Sequence, residues 1–149
     1  MLPSFASELA ACVPTSVQAQ LVALEADNMA GFERNGAPFD DYFKRWDLTV
    51  HIATASDGAL MGFAISGAEG RGLVFLYELH VAKSARKRGV ARSLLDLVER
   101  SSPSRGRSRP TVELNVHRGN DALGFYEREG FAPTGELSGG DVIVMRRKR

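Results

Sequence analysis

Ala85–Ala91, ARKRGVA, sets three cations, Arg86, Lys87 and Arg88, against one glycine, Gly89, immediately before a stretch with helical periodicity. A strand that turns through a glycine into a helix leaves the first backbone N–H groups of that helix unpaired and aimed at one point. An anion satisfies them. The amides of Arg88 to Ala91, the positive end of the helix dipole and the three basic side chains together would cradle a phosphate or pyrophosphate. Gly89 lets the backbone approach such a ligand closely, and the small Ala91 leaves the approach open. A solvated basic loop ahead of an ordinary helix has the same composition, so the pattern by itself leaves both readings open.

Glu78 is the second residue that could do chemistry. It interrupts Leu73–Val81, LVFLYELHV, which is apolar on both alternating faces through Tyr77 and so reads as a central strand covered on both sides. A carboxylate there costs on the order of several kcal/mol unless it is paired or faces a cleft. It is therefore either exposed to a cleft or half of a structural ion pair with an arginine. Tyr77 beside it either walls that cleft or fills the core.

The elements that must hold these residues follow from periodicity. Thr15 after Pro14 reads as an N-cap, and Val17, Leu21, Leu24 and Asn28 follow at helical spacing, predicting a helix to about Met29. A shorter helix is expected over Asp40–Arg45. Thr49–Thr54 and Leu60–Ser66 flank a Ser56-Asp57-Gly58 turn and read as a hairpin. After the central strand, Gly89–Arg100 repeats apolar residues at Val90, Ala91, Leu94, Leu95 and Val98, an amphipathic helix. Ser101–Pro110 is a polar connector, Thr111–Val116 a strand, Asp121–Glu129 a helix closed by Gly130, and Phe131 onward with Asp141–Met145 the last two strands. The order α-α-β-β-β-α-β-α-β-β predicts an α/β fold with a mixed sheet and helices on both faces.

With 149 residues, the chain suits a single domain over 1–149. Its net charge of +1 argues against a polycation built for nucleic acid. Charge is nevertheless uneven: Arg100, Arg105, Arg107, Arg109 and Arg118 crowd one stretch, and the chain ends Arg146, Arg147, Lys148, Arg149. These are read either as a solvated rim with a frayed tail or as a cationic docking surface. The lone Cys12 excludes an intramolecular disulfide and fits a reducing compartment. His51, His80 and His117 are scattered, with no metal-binding spacing, and no apolar run reaches the length of a membrane span. No metal and no membrane are expected, and the expected location is the cytoplasm, with the basic end as a potential nuclear address.

The stretch LHVAKSARKRGVARSLL resembles the acyl-CoA pyrophosphate signature of the GNAT N-acetyltransferases. That signature has Arg or Gln, two residues, Gly, one residue and Gly or Ala, after a strand of the form Leu-x-Val. Arg86, Gly89 and Ala91 hold those positions, and Leu79 and Val81 supply the strand. LNVHRGNDALGFYEREGF is similar to a later strand and helix of the same family, with Ala122, Tyr126 and the closing Gly130-Phe131. The resemblance runs from Leu48 to the C-terminus. It implies a single GNAT domain, acetyl-CoA as cofactor, and direct attack of an amine on the thioester.

The cofactor contacts it implies are the backbone of Leu79, His80 and Val81 for the thioester oxygen, and Arg86, Lys87, Arg88, Gly89, Val90, Ala91 and Arg92 for the pyrophosphate. Asn120, Ala122 and Tyr126 are implied on the later segment. Tyr126 holds the place of the family's thiol-protonating acid; a phenol of pKa about 10 serves a thiol of about 8.5 only when held close to it. Glu78 falls where the family opens into the acceptor cleft, which implies a base that takes the amine's proton directly or through water, with desolvation expected to raise its pKa. One spacing departs from the pattern: Asn120 stands two residues before Ala122 and six before Tyr126, where the family has three and seven, and Gly119 occupies that position.

Within that family, LYELHV, the preceding NMAGFERNGAPFDDYFKRWDL and the closing DVIVMRRKR are similar to the histone-specific N-terminal acetyltransferases (NatD). That likeness implies a protein N-terminus, such as a histone tail beginning Ser-Gly-Arg-Gly, as acceptor. It places Tyr77 and Glu78 at the acceptor cleft, Phe39 where that group has tryptophan, Phe75 where it has tyrosine, and Glu69 as the acid nearest a substrate arginine. Two other readings stand beside it: a small-amine acetyltransferase with a closed acidic pocket, and a noncatalytic acyl-CoA-binding module.

Overall fold

A computed structural model describes residues 3–31, 37–70, 72–101, 110–137 and 140–147. Seven strands, β1 (Ser4–Leu9), β2 (Leu48–Thr54), β3 (Leu60–Ala68), β4 (Leu73–Val81), β5 (Thr111–His117), β6 (Phe131–Leu137) and β7 (Val142–Arg147), form one mixed sheet in the order β1-β2-β3-β4-β5-β7-β6. β4 and β5 run parallel, and the other neighbours run antiparallel. A parallel pair needs a crossover, supplied by helix α2 (Val90–Ser101). Two further α-helices among the described residues are α1 (Thr15–Asn28) and α3 (Ala122–Arg128).

The sheet is covered on both faces. On one, Val90, Leu94, Leu95 and Val98 of α2 pack on Val74 and Leu76 of β4 and on Val112 and Leu114 of β5, with Tyr126 and Phe131 closing the far side. On the other, Leu21 and Leu24 of α1 and Phe39 and Phe43 pack on Val50, Phe63 and Ile65. β3 and β4 lie between both cores, which is why Leu60–Ala68 and Leu73–Val81 carry apolar residues in both alternating phases. Gly62 allows the close fit there: a Cβ on it would sit 2.7 Å from the His80 carbonyl oxygen of β4.

Four expectations change. Ser4–Leu9, ahead of the first expected element, is a strand; it is exposed along its length at the sheet edge, so no alternation marks it. Pro14, not Thr15, occupies the N-cap of α1, without a side-chain cap. The expected helix over Asp40–Arg45 is a 3₁₀ segment, Phe39–Lys44. The terminal arginines are not all tail or docking surface, because Arg146 and Arg147 close β7. Arg146 Nε lies 2.6 Å from Glu113 Oε2, and Arg147, 1% exposed, lies 3.2 Å from Glu99 and over the Phe131 ring. Arg105, Arg107 and Arg109, and most of the Ser101–Pro110 connector, lie outside the described residues.

His51 joins three strands at the β1 side of the sheet. Its Nδ1 lies 2.7 Å from Ser7 Oγ on β1 and its Nε2 3.0 Å from Ser66 Oγ on β3, and no part of the residue is exposed. Burial pushes its pKa from 6.5 down to about 4, so the folded protein holds it neutral where the unfolded chain protonates it. The associated stability is fully present above pH 6.5 and is lost as pH falls toward 4, by up to about 3 kcal/mol. Urea unfolding at pH 7 and pH 4.5 should show this fall in the native protein and a smaller one in His51→Gln; equal falls would place the acid sensitivity elsewhere.

Candidate active site

The site begins where β4 leaves β5. Only Leu73–Leu76 pairs with Thr111–Leu114; β4 then continues to Val81 with β3 as its partner, while β5 continues against β7. Beyond Leu76 the β5-facing peptide groups of β4 have no strand beside them, and buried backbone groups require partners. A ligand entering the wedge can supply them.

A β-bulge sets which side chains meet there. Ile65 pairs with Glu78 and Ser66 with Leu76, leaving Tyr77 as the extra residue on β4. Strand side chains alternate with period two, so one inserted residue reverses the phase of everything after it. Val74 and Leu76 face the α2 core before the bulge, and Leu79 and Val81 face it afterwards. Phe75, Tyr77, Glu78 and His80 consequently all lie toward α1 and the 3₁₀ segment. The bulge keeps Glu78 out of the α2 core.

Among the partners of Glu78 there are Tyr42 and His80. Tyr42 Oη donates to its Oε2 at 3.0 Å, and His80 Nε2 lies 2.9 Å from its Oε1. His80 is 8% exposed, and its ring lies 5.2 Å from that of Phe63. Tyr126, 9% exposed, packs edge-on against Phe125 and Phe131; burial first, and then the Glu78 charge, push its pKa well above the ordinary phenol value. It therefore stays protonated at neutral pH, the form in which a phenol can donate. Tyr77 donates to Glu69 Oε1 at 2.9 Å and packs edge-on against Phe75, with the Arg45 guanidinium over its ring. Burial and Glu69 raise its pKa.

At the head of α2 the loop has the form that an anion site requires. Gly89 adopts φ +78°, its carbonyl accepts from Ser93 N–H at 3.0 Å, and a Cβ built on it meets nothing within 4 Å. Lys87 is left-handed as well, at φ +63°, a conformation that costs a non-glycine residue on the order of 1 kcal/mol. Arg86, Lys87 and Arg88 are exposed around an open space, and the first N–H groups of α2 point outward.

The sequence profile of the acetyltransferase (GNAT) family matches residues 19–131, spanning both the wedge and the loop. The chain belongs to the GNAT acetyltransferase family. Solved structures share the fold over nearly the whole length. An acyl-CoA N-acyltransferase from Pseudomonas aeruginosa has TM-score 0.74 and 17% identity, covering 98% of this chain and 99% of the other. The PaiA N-acetyltransferase from Thermoplasma acidophilum, in complex with coenzyme A, has TM-score 0.67 and 17% identity over 98% and 99%. A nourseothricin acetyltransferase has TM-score 0.68 and 21% identity over 96% and 97%. This GNAT chain is an acetyl-CoA-dependent acyltransferase. The open space at Gly89, the three cations and the wedge fit such a cofactor.

Several expected contacts of this GNAT site are differently occupied. Arg86 turns inward, its Nε 3.3 Å from the Val81 carbonyl oxygen and its Nη2 3.0 Å from Asn28 Oδ1. Arg92 pairs with Glu129 through both Nε and Nη2. Asn120 Oδ1 accepts the Ala122 N–H at 2.8 Å and so starts α3, a use that its two-residue spacing favours. Phe39 is 6% exposed and packed among Tyr42, Phe43 and Phe63, so it supports Tyr42 from the core and does not face an acceptor. Val90 is buried and Ala91 half-buried, leaving chiefly their amides to the loop. Tyr42 and Asn28 were not among the expected site residues. Asn28 carried a signal, being the polar member of an apolar helical stripe; Tyr42 carried none. Among the described residues no cluster of His, Cys, Asp or Glu could hold a metal ion, and no helix is long and apolar enough to cross a membrane.

Gly89→Glu places a carboxylate where the diphosphate belongs, whereas Gly89→Ala imposes the same backbone strain without the charge. Calorimetric titration with coenzyme A should show binding abolished in Gly89→Glu and weakened less in Gly89→Ala. Unchanged affinity in Gly89→Glu would remove the loop from the cofactor site.

Proposed function

We propose that the protein transfers acetyl from acetyl-CoA to the α-amine of a protein N-terminus, with a tail of the Ser-Gly-Arg-Gly type as the acceptor class, in the cytoplasm or nucleus. The observation that carries transfer to an amine is the Glu78 carboxylate, held by Tyr42 and His80 beside the wedge and acting on Tyr126. Acetyl-CoA supplies a thioester-activated acetyl group. The amides of Arg88–Ala91 and the side chains of Arg86, Lys87 and Arg88 bind the diphosphate, and backbone N–H groups of Leu79–Val81 hold the thioester oxygen. Glu78 removes the proton from the acceptor ammonium, and Tyr126 gives its proton to the departing sulfur.

The finer acceptor class is supported by the likeness of LYELHV and DVIVMRRKR to the NatD group, and by Glu69, an exposed carboxylate tied to Tyr77 and suited to a substrate arginine. It is also chemically modest. An α-amine of pKa 7.7–8.0 is roughly 10% neutral at pH 7, whereas a lysine is neutral in about one molecule in two thousand. A small amine is the second reading, favoured by the burial of Phe39, which removes one expected tail contact.

Purified protein with acetyl-CoA should acetylate a Ser-Gly-Arg-Gly peptide and leave the same peptide unlabelled when its N-terminus is blocked. Equal labelling would point to lysine, labelling of spermidine alone to a small amine, and coenzyme A binding without turnover to a noncatalytic module. Glu78→Gln should lower kcat about a hundredfold with coenzyme A affinity intact. Tyr126→Phe should slow turnover about tenfold with an unchanged circular dichroism spectrum. A wild-type rate in either variant would return that residue to a purely structural role.

A further inference from the structure

The side-chain amide of Asn28, the last residue of α1, meets the end of β4 and the cofactor loop at once. Its Oδ1 is 3.0 Å from Arg86 Nη2, and its Nδ2 is 3.3 Å from both the Val81 carbonyl oxygen and His80 Nδ1. A guanidinium only donates and a carbonyl only accepts, so a single orientation of the amide matches them. The reverse would set donor against donor at Arg86 and acceptor against acceptor at Val81. Nδ2 has two hydrogens, one for Val81 and one for His80 Nδ1, which therefore presents a lone pair. The ring proton of His80 sits on Nε2 and is donated to Glu78 Oε1 at 2.9 Å, while Tyr42 Oη donates to Oε2 at 3.0 Å. Every donor in this series faces an acceptor.

An imidazole against a carboxylate ordinarily gains a second proton, because the opposite charge favours the charged ring. Here that proton would have to sit on Nδ1, against the Asn28 Nδ2 hydrogen, and Asn28 cannot turn over without the mismatches at Arg86 and Val81. The Phe63 ring, 5.2 Å from that of His80, supplies no lone pair. The arrangement therefore resists the charging of His80 although Glu78 adjoins it. It also survives cofactor binding. The inward contacts of Arg86, Nε to the Val81 carbonyl oxygen at 3.3 Å and Nη2 to Asn28, use two of its five N–H donors, so the guanidinium can hold Asn28 and a diphosphate together.

We propose that Asn28 is a positioning residue that keeps His80 uncharged and so reserves the Glu78 carboxylate for the ammonium of the acceptor. This rests on the reading of Glu78 as the acceptor's base. An imidazolium at 2.9 Å would neutralise the carboxylate and repel the incoming ammonium; a neutral Nε2–H orients the same oxygen and leaves its charge in place. The ammonium N–H bond breaks with its electron pair left on the amine, and an O–H bond forms on Glu78, while Tyr42 and His80 keep their own protons. Around His80 stand Glu78 on its own strand, Asn28 from α1, the Phe63 ring from β3 and, through Asn28, Arg86; Tyr42 and Tyr126 act on it through Glu78.

The test is ¹⁵N nuclear magnetic resonance at pH 7 of the full chain labelled in histidine, its three rings assigned by comparison with His80→Gln. His80 should carry one proton, on Nε2, with and without coenzyme A. Two protonated nitrogens, or a proton on Nδ1 alone, would overturn the proposal. Asn28→Asp puts an acceptor where Nδ2 stands, 3.3 Å from His80 Nδ1, and Arg86 donates both to that carboxylate and to the Val81 oxygen beside it. Its His80 should be doubly protonated, kcat/KM for the acceptor should fall about tenfold, and the acetyl-CoA KM should stay as in the wild type. The acceptor used is whichever of the Ser-Gly-Arg-Gly peptide and spermidine the protein labels. A singly protonated ring in Asn28→Asp, or a doubly protonated one at the wild-type rate, would also sink the idea. Glu78→Gln separates the two readings. A slow Glu78→Gln beside a charged wild-type His80 refutes the role of Asn28 alone, whereas a wild-type rate in Glu78→Gln removes the base and this proposal with it.

Discussion

The parallel pairing between β4 and β5 ends after four residue pairs, Leu73–Leu76 with Thr111–Leu114, and every feature of the site depends on that early end. A fully paired β5 would fill the hydrogen-bonding edge of β4 beside Leu79–Val81 and leave nowhere for a thioester to lie. β5 keeps its other edge paired with β7 past the point of parting, so the wedge opens between β4 and an otherwise well-held strand. The α2 crossover that parallel strands require also delivers the helix N-terminus and its glycine turn close after β4 ends.

The bulge at Tyr77 is the second constraint, and it serves both packing and chemistry. Without it, a strand that points Tyr77 at the acceptor side would drive Glu78 into the apolar core beneath α2. There a lone carboxylate would be costly. With it, Glu78 and His80 share a face with Tyr77, and Tyr42 rises from the 3₁₀ segment to meet them. Phe39 and Phe43 anchor that segment in the α1-side core, so the position of Tyr42 follows from packing.

Some of this was legible in the residues. The two-sided apolar pattern of Leu73–Val81 identified the central strand, and the cation–glycine–helix pattern identified the loop, because both are local and periodic. Glu78 stood out because a charge in such a strand needs a reason. Other features were hidden for physical reasons. β1 is an exposed edge strand, and a strand with no buried face has no alternation to read. Arg147 looks like part of a basic tail until Glu99 and Phe131 surround it. Asn120 was drawn toward the cofactor by analogy, while its short spacing to Ala122 suits the local hydrogen bond it makes.

By itself, the sequence determined the element order after the first strand, the glycine turn before α2, the residues available for proton transfer and the family to which they belong. These are matters of composition and short-range spacing, which the chain carries wherever it folds. Only the tertiary structure decided that Glu78 answers to Tyr42 and His80, that Arg86 reaches Asn28 at the end of a helix 58 positions away, and that Phe39 supports the core. Those pairings depend on strand register, on one bulge and on which helix covers which face. Long-range packing sets them, and no run of neighbouring residues encodes them.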